Sequence, residues 1–252
     1  VYSLINGVLN KPAPGVRTEN LVNISLTLPD DPNGGIIAFP IFSGFLEHSR
    51  TLQSIAAFGF ERFAMTAPDG TYELRGQVVT PNYFETLGVP IVKGRGFTSG
   101  ETRGSAGLSA VIAWHVWQNQ FQFAPDIAGR QVFLNVLPVT IVGVAARRFR
   151  GTHFAPDFEI AVPILGYARF HGNVQSLANR GVEAIARLAP GSSLAQAQAE
   201  FDTVSRQIAR AFPELGRQRI VLAPYSATAN GPWQGAQARM FMTILTAVAL
   251  LT

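Results

Sequence analysis

The chain has 252 residues, of which 47% are apolar and 14% charged, where about 25% charged is usual for a soluble domain. A mean hydropathy of +0.18 points the same way, toward a chain that is partly meant for lipid. The formal charge is +4, yet Lys and Arg are scattered among acids with no basic run interleaved with aromatics, which excludes a nucleic-acid-binding reading; the absence of Cys excludes disulfides and thiolate metal sites.

Residues 1–9 are apolar, lack the charged start of a signal peptide, and meet a breaker at Lys11-Pro12-Ala13-Pro14. Residues 240–252 are uncharged and apolar. Neither stretch reaches the roughly twenty residues that cross a bilayer, so each is expected to be either a packed terminal helix or part of a membrane helix. Between them, Val22, Ile24, Leu26 and Leu28 alternate with Asn23, Ser25 and Thr27, the pattern of a half-buried strand. Phe42, Phe45, Leu46, Leu52, Ile55 and Ala56 then recur at helical spacing and predict a helix reaching about Phe58. Residues 60–66 and 71–79, with Asp69-Gly70 between them, predict a hairpin.

A joint follows. Thr80 is placed to cap a helix, Pro81 suits its first position, and Gly88 can take the left-handed conformation that ends it. Tyr83, Phe84 and Leu87 give that helix one apolar face, and Gly94 and Gly96 bend the chain beyond it. Residues 108–113 predict a strand, and Trp114, Trp117 and Phe121 lie on one helical face. Further strands are expected over 130–134, 139–144 and 158–164, then a loop over 166–181. Residues 182–188 alternate again, a helix follows with Leu194, Ala197, Phe201, Val204, Ile208 and Ala211 along one stripe, and residues 220–223 close the series. The outer parts thus repeat strand, helix, strand. This is an α+β chain: a ferredoxin-like split βαβ subdomain over 15–92 plus 182–226, carrying an inserted small α/β subdomain over 93–181. Residues 1–14 and 227–252 would be the flanking partial transmembrane helices with their linker.

Asn82-Tyr83-Phe84, Leu87-Gly88-Val89, Gly94-Arg95 and Phe97 occur in an order and spacing that resemble the extracytoplasmic (periplasmic core) domain of MacB-like ABC transporter permeases. Ser109-Ala110-Val111-Ile112, Pro125-Asp126, Gly129-Arg130-Gln131-Val132, the run over 139–144, Phe149-Arg150-Gly151, Asp157 and Val162-Pro163 continue the likeness, which covers roughly residues 20–226. One departure is Asn135-Val136, where the family usually turns with Asn-Gly; a longer or bulged connection is expected there instead of a type I′ turn. The resemblance implies a domain on the outer side of the bacterial inner membrane that transmits ATP-driven movement to export or hand over a substrate. It implies a cytoplasmic ABC ATPase subunit or domain as partner, a homodimer or paired permease, the membrane itself, and room for a periplasmic adaptor. It equally fits permeases of this fold that release lipoproteins or regulate cell-wall enzymes. It implies no catalytic, cofactor-binding or metal-binding residue and no cofactor in this chain.

The residues themselves leave one rival reading. His153, Asp157 and Glu159, with His171 a loop away, are spaced to hold a divalent ion or serve a hydrolase, although no H-E-x-x-H or paired-His motif supports them. Residues 100–107 are rich in Gly and Ser without the order of a nucleophile elbow, and Gly94-Arg95-Gly96 is not a phosphate-cradling loop. No Walker-type G-x-x-x-x-G-K-[ST] sequence occurs, so any ATP would be bound elsewhere.

Overall fold

The computed structural model describes residues 13–28, 31–35, 37–38, 49–67, 70–102, 107–153, 157–166, 170, 181–211 and 219–225. The expected terminal membrane segments, residues 42–48 of the first expected helix, most of the 166–181 loop and His171 lie outside these. No helix among the described residues is long and apolar enough to cross a membrane.

Strand β1 (Leu21–Leu28) is followed by two short strands, β2 (Asp31–Gly35) and β3 (Ile37–Ala38). Strand β4 (Leu52–Ala67) and β5 (Gly70–Val79) then form a long antiparallel hairpin, Ala67 pairing with Gly70 and Phe58 with Val79. Helix α1 (Tyr83–Leu87) leads into β6 (Ile91–Gly94), β7 (Leu108–Ile112) and helix α2 (Trp114–Phe121). Strands β8 (Gln131–Leu134), β9 (Leu137–Ala145), β10 (Ile160–Pro163) and β11 (Gly181–Leu188) come next, then helix α3 (Leu194–Ala211) and β12 (Arg219–Pro224).

Among the described residues the strands join in one sheet, ordered β12-β1-β11-β4-β5-β10-β7-β9-β6. Counting only β1, β4, β11 and β12, the order is last, first, third, second, all antiparallel, as in a split βαβ sheet. The hydrogen bonding passes without a break from β5 into β10, which runs parallel to it, and so into the inserted residues. The chain enters β1 beside the point where it leaves β12: Val22 pairs with Pro224, and the Tyr225 amide donates to Leu21 O at 2.9 Å.

Three expectations change. The helix expected to reach Phe58 does not: residues 52–58 are the first half of β4, paired with β11 from Leu52↔Leu188 to Phe58↔Glu183. Residues 55–59 are buried without alternation because this strand is central and covered on both faces, and an uninterrupted apolar run carries no period to separate strand from helix. Strand β1 is likewise buried on both faces over its first four residues, 21–24, and half-buried only afterwards.

The third change is at Asn135-Val136, which does form the two-residue turn. Leu134 pairs with Leu137, and φ is +45° at Asn135 and +66° at Val136, the signs of a type I′ hairpin. A valine tolerates this because the turn is pinned from outside. The Asn135 amide donates to Ala64 O at 2.9 Å, and its side-chain oxygen accepts from the Ala64 amide at 2.8 Å. Val136 itself is 87% exposed, so its side chain meets backbone strain and little else.

Helix α3 lies on β12 and fastens two loose ends. Gln198 donates to Ile220 O and accepts from the Leu222 amide, both at 2.8 Å. Glu200 accepts from the amides of Arg50 and Thr51 and the hydroxyls of Ser49 and Thr51, fixing the start of β4. Partial burial of Glu200 works to raise its pKa, but those four donors outweigh it and hold the carboxyl below its ordinary value.

Substituting Val136→Gly should raise the melting temperature by about 2–4 °C in calorimetry, since the relief of left-handed strain exceeds glycine's extra unfolded-state freedom by about 1 kcal/mol; a lower melting point would show the valine to be unstrained. Because the Glu200 carboxylate is favoured in the folded state, its contribution is complete above the unfolded glutamate value of 4.5 and is lost as pH falls through the lower folded value. Urea midpoints measured from pH 7 down to the acid limb should fall less steeply for Glu200→Gln than for the unaltered chain, and identical slopes would contradict the assignment.

Candidate functional site

Helix α1 is short and buried on almost every side: Tyr83, Phe84, Thr86 and Leu87 are all inside. Its start is not capped by Thr80. That hydroxyl accepts from the Ala57 amide at 3.1 Å, tying the end of β5 to β4, while Asn82 occupies the cap position and donates to Ile55 O at 2.9 Å. Gly88 ends the helix as expected, at φ +68°. Phe84 meets Phe149 at 6.0 Å and Phe158 at 6.1 Å between ring centroids, both nearly edge-on, so the joint helix is packed directly onto the inserted residues.

The incoming residues 13–20 lie across this helix. The Arg17 amide donates to Leu87 O at 2.9 Å. Behind both sits Arg187 of β11, 4% exposed, whose guanidinium donates to Thr86 O at 2.7 and 3.1 Å, to Arg17 O at 2.8 Å and to Glu19 O. Burial first, then the neighbouring Arg17 charge, lower its pKa, with Glu19 opposing; a guanidinium nonetheless stays protonated at any physiological pH. One cation therefore closes the carbonyls at the end of α1 and those of the incoming stretch together.

On the other side of α1 is a buried polar network. The Tyr83 hydroxyl donates to Gln77 Oε1 at 2.7 Å, Gln77 Nε2 to Thr152 Oγ1 at 3.3 Å, and the Tyr225 hydroxyl to Thr152 O at 3.0 Å. His153, 4% exposed, stands 3.1 Å from Glu183 through Nε2, with Phe58 and Phe60 edge-on to its ring. Burial pushes both tyrosine hydroxyls up from their ordinary value, so they stay neutral and act only as hydrogen-bonding groups. The adjoining recess, lined by Phe60, Gly76, Gln77, Thr152, His153 and neighbours, has a volume of about 10 Å³, no more than one water molecule needs.

Among the described residues the rival constellation forms no metal-holding group, although His153 and Asp157 line the same recess. His153 faces Glu183; Asp157 pairs with Arg150; Glu159 accepts from the Arg75 amide at 2.6 Å and lies 3.8 Å from His115. Each acid thus has a separate basic neighbour, and no group of three metal-ligating side chains occurs among the described residues. Gly94 is a glycine for a local reason: with φ at +70°, a Cβ there would stand 2.2 Å from Val142 O of β9. Of the aromatic stripe on α2, Phe121 is core, whereas Trp114 and Trp117 are half-buried against the exposed Phe123. Arg187 and Tyr225 carried no sequence signal beyond a charge at an apolar strand position and a tyrosine after a strand.

The strand order and the closed core define an α+β domain of split βαβ type with a second α/β stretch inserted into it. Over residues 1–204 the sequence matches the family model of the MacB-like periplasmic core domain, and the chain belongs to that family. It is thus a periplasmic domain of the kind carried by MacB-like ABC transporter permeases, a family of transporter domains. Three solved structures share the fold. The periplasmic region of MacB from Actinobacillus actinomycetemcomitans matches with a TM-score of 0.60 at 11% identity, covering 84% of this chain and 91% of that one. The extracellular domain of the noncanonic ABC-type transporter YknZ from Gram-positive bacteria gives 0.59 at 12%, covering 80% and 100%. A domain of a putative permease from Porphyromonas gingivalis gives 0.57 at 15%, covering 83% and 91%. Among curated proteins none matches the sequence significantly.

Replacing Arg187 by Met orphans one buried carbonyl, that of Thr86, and two part-buried ones, those of Arg17 and Glu19, and should lower stability by about 2–3 kcal/mol in urea unfolding. Arg187→Lys should recover only part of this, because a point charge cannot span three divergent acceptors; full recovery by lysine would show that charge alone matters.

Proposed function

We propose that this domain stands on the outer side of the bacterial inner membrane, between membrane-spanning segments of an ABC permease, and transmits movement. ATP is bound by a cytoplasmic ATPase subunit or domain; its dimerisation shifts the membrane segments, and these displace the domain, paired with a second copy, so that a substrate is pushed outward or handed to a periplasmic adaptor. Residues 15–92 with 182–226 form the unit nearer the flanking segments, and residues 93–181 the unit they carry. No residue here acts as a catalyst in this scheme.

The observation that supports it best, beside family membership, is the place where the chain enters and leaves. Leu21 and Tyr225 are hydrogen-bonded neighbours, so both flanking segments pull on one end of one sheet. A load applied to either is then borne by the same strands, β1 and β12, which pair over six residues from Val22↔Pro224 to Thr27↔Arg219.

The sequence contains no cysteine, so Lys93→Cys and Gln131→Cys each introduce a defined label site in it. In spheroplasts making the full permease, a membrane-impermeant maleimide should modify both positions without lysis. Modification only after the membrane is opened would place the domain inside and overturn the reading.

A further inference from the structure

Residues 146–153, between β9 and β10, touch the chain at both its way in and its way out. On the incoming side, Gly15 has φ +82° and lies so close that a Cβ would stand 2.8 Å from Phe149 N and 2.9 Å from the Arg148 carbonyl carbon. This is backbone against backbone, with no side chain between to yield. On the outgoing side, the Tyr225 hydroxyl donates to Thr152 O at 3.0 Å, and the Tyr225 amide holds Leu21 O.

The connecting residues are themselves fixed. Phe149 and Thr152 are buried, the Ala146 amide donates to Pro90 O at 3.0 Å, the Phe158 amide donates to Arg150 O at 2.9 Å, and His153 faces Glu183 of β11. Close-packed interiors pass displacement on because they do not compress. Two flanks that meet the same strap, anchored by the buried Phe149 and Thr152, therefore move it together, and with it strands β9 and β10 that it joins.

We propose that residues 146–153 are the strap through which both flanking segments move the inserted residues 93–181, with Arg187 and Tyr225 as its positioning residues. The proposal rests on the permease reading above. Arg187 holds the incoming stretch down on α1 so that Gly15 stays seated on Phe149. Tyr225 ties the outgoing stretch to Thr152. Breaking both leaves the flanks attached to β1 and β12 but slackens their grip on the insertion.

The test uses the full-length permease with its ATPase in nanodiscs containing acceptor-labelled lipid, with a fluorescent donor at either Glu19→Cys or Gln131→Cys. Energy transfer is compared without nucleotide and with ATP plus vanadate. In the unaltered background both donors should shift. In the Arg187→Lys, Tyr225→Phe double variant, shown folded by thermal unfolding, the shift at position 131 should fall about twofold or more while that at 19 persists. Val136→Gly, outside the strap, should leave both shifts intact. An undiminished shift at 131 in the double variant, or an equal loss in Val136→Gly, overturns the strap alone. No shift at either donor in the unaltered background removes the permease reading and the strap with it.

Discussion

One buried cation, Arg187, organises the described residues around the place where the chain enters β1. Among the described residues no carboxylate pairs with Arg187; its charge is spread over backbone carbonyls from Thr86, Arg17 and Glu19. Burying a guanidinium is unfavourable unless its donors are used, and orphaned carbonyls at a helix end are unfavourable too. Each problem is the other's solution. The consequence is geometric: three stretches far apart in sequence, residues 17–19, the end of α1 and β11, can adopt only one mutual arrangement. The apolar contacts of Phe84 with Phe149 and Phe158 then fix the insertion to that arrangement from the far side.

The same economy appears at the sheet's outer strand. Among the described residues β12 pairs with β1 on one side only, and an open row of amides and carbonyls invites another chain. Gln198 occupies that row with its own amide, donating to Ile220 O and accepting from Leu222 N as a neighbouring strand would. Glu200, two residues on, does the same for the unpaired amides at the start of β4. Helix α3 is thus both the cover over the sheet's apolar face, through Ala197 and Phe201, and the clasp at its margins. The outermost described strand is thereby tied to the helix that covers it.

Much of this was legible beforehand because periodicity reports half-burial. β1 and β11 were read as strands from their alternation, β5 as half of a hairpin, and β8 and β12 as short strands; α3 shows its stripe of Leu194, Ala197, Phe201 and Val204, and α2 its apolar spacing. Where an element is covered on both sides the period disappears, and residues 52–58 took on helical spacing by coincidence of composition. The Asn135-Val136 turn was misjudged for a different reason. Its conformation is pinned by Ala64, 71 residues earlier, and local turn chemistry knows nothing of that partner. The same limit hid the grip of Arg187 and the Tyr225 contact, which pair residues over one hundred and about seventy positions apart. The family landmarks, by contrast, were local strings such as Asn82-Tyr83-Phe84 and Leu87-Gly88-Val89, and these proved to be the buried joint itself.

The buried polar groups around Tyr83 are the remaining invitation to read catalysis into the fold, and their chemistry argues for another use. A general acid or base needs a pKa near the working pH and a path for its substrate. Burial drives Tyr83 and Tyr225 the wrong way, and the recess beside them admits one water at most. What the network does supply is direction. An apolar core of this size can be repacked at modest cost, whereas Tyr83, Gln77, Thr152 and Tyr225 hold their bonds only in one relative position. The network and the Arg187 grip thus hold the joint helix from either side, Gln77 and Thr152 beyond Tyr83 and Arg187 at the Thr86 carbonyl.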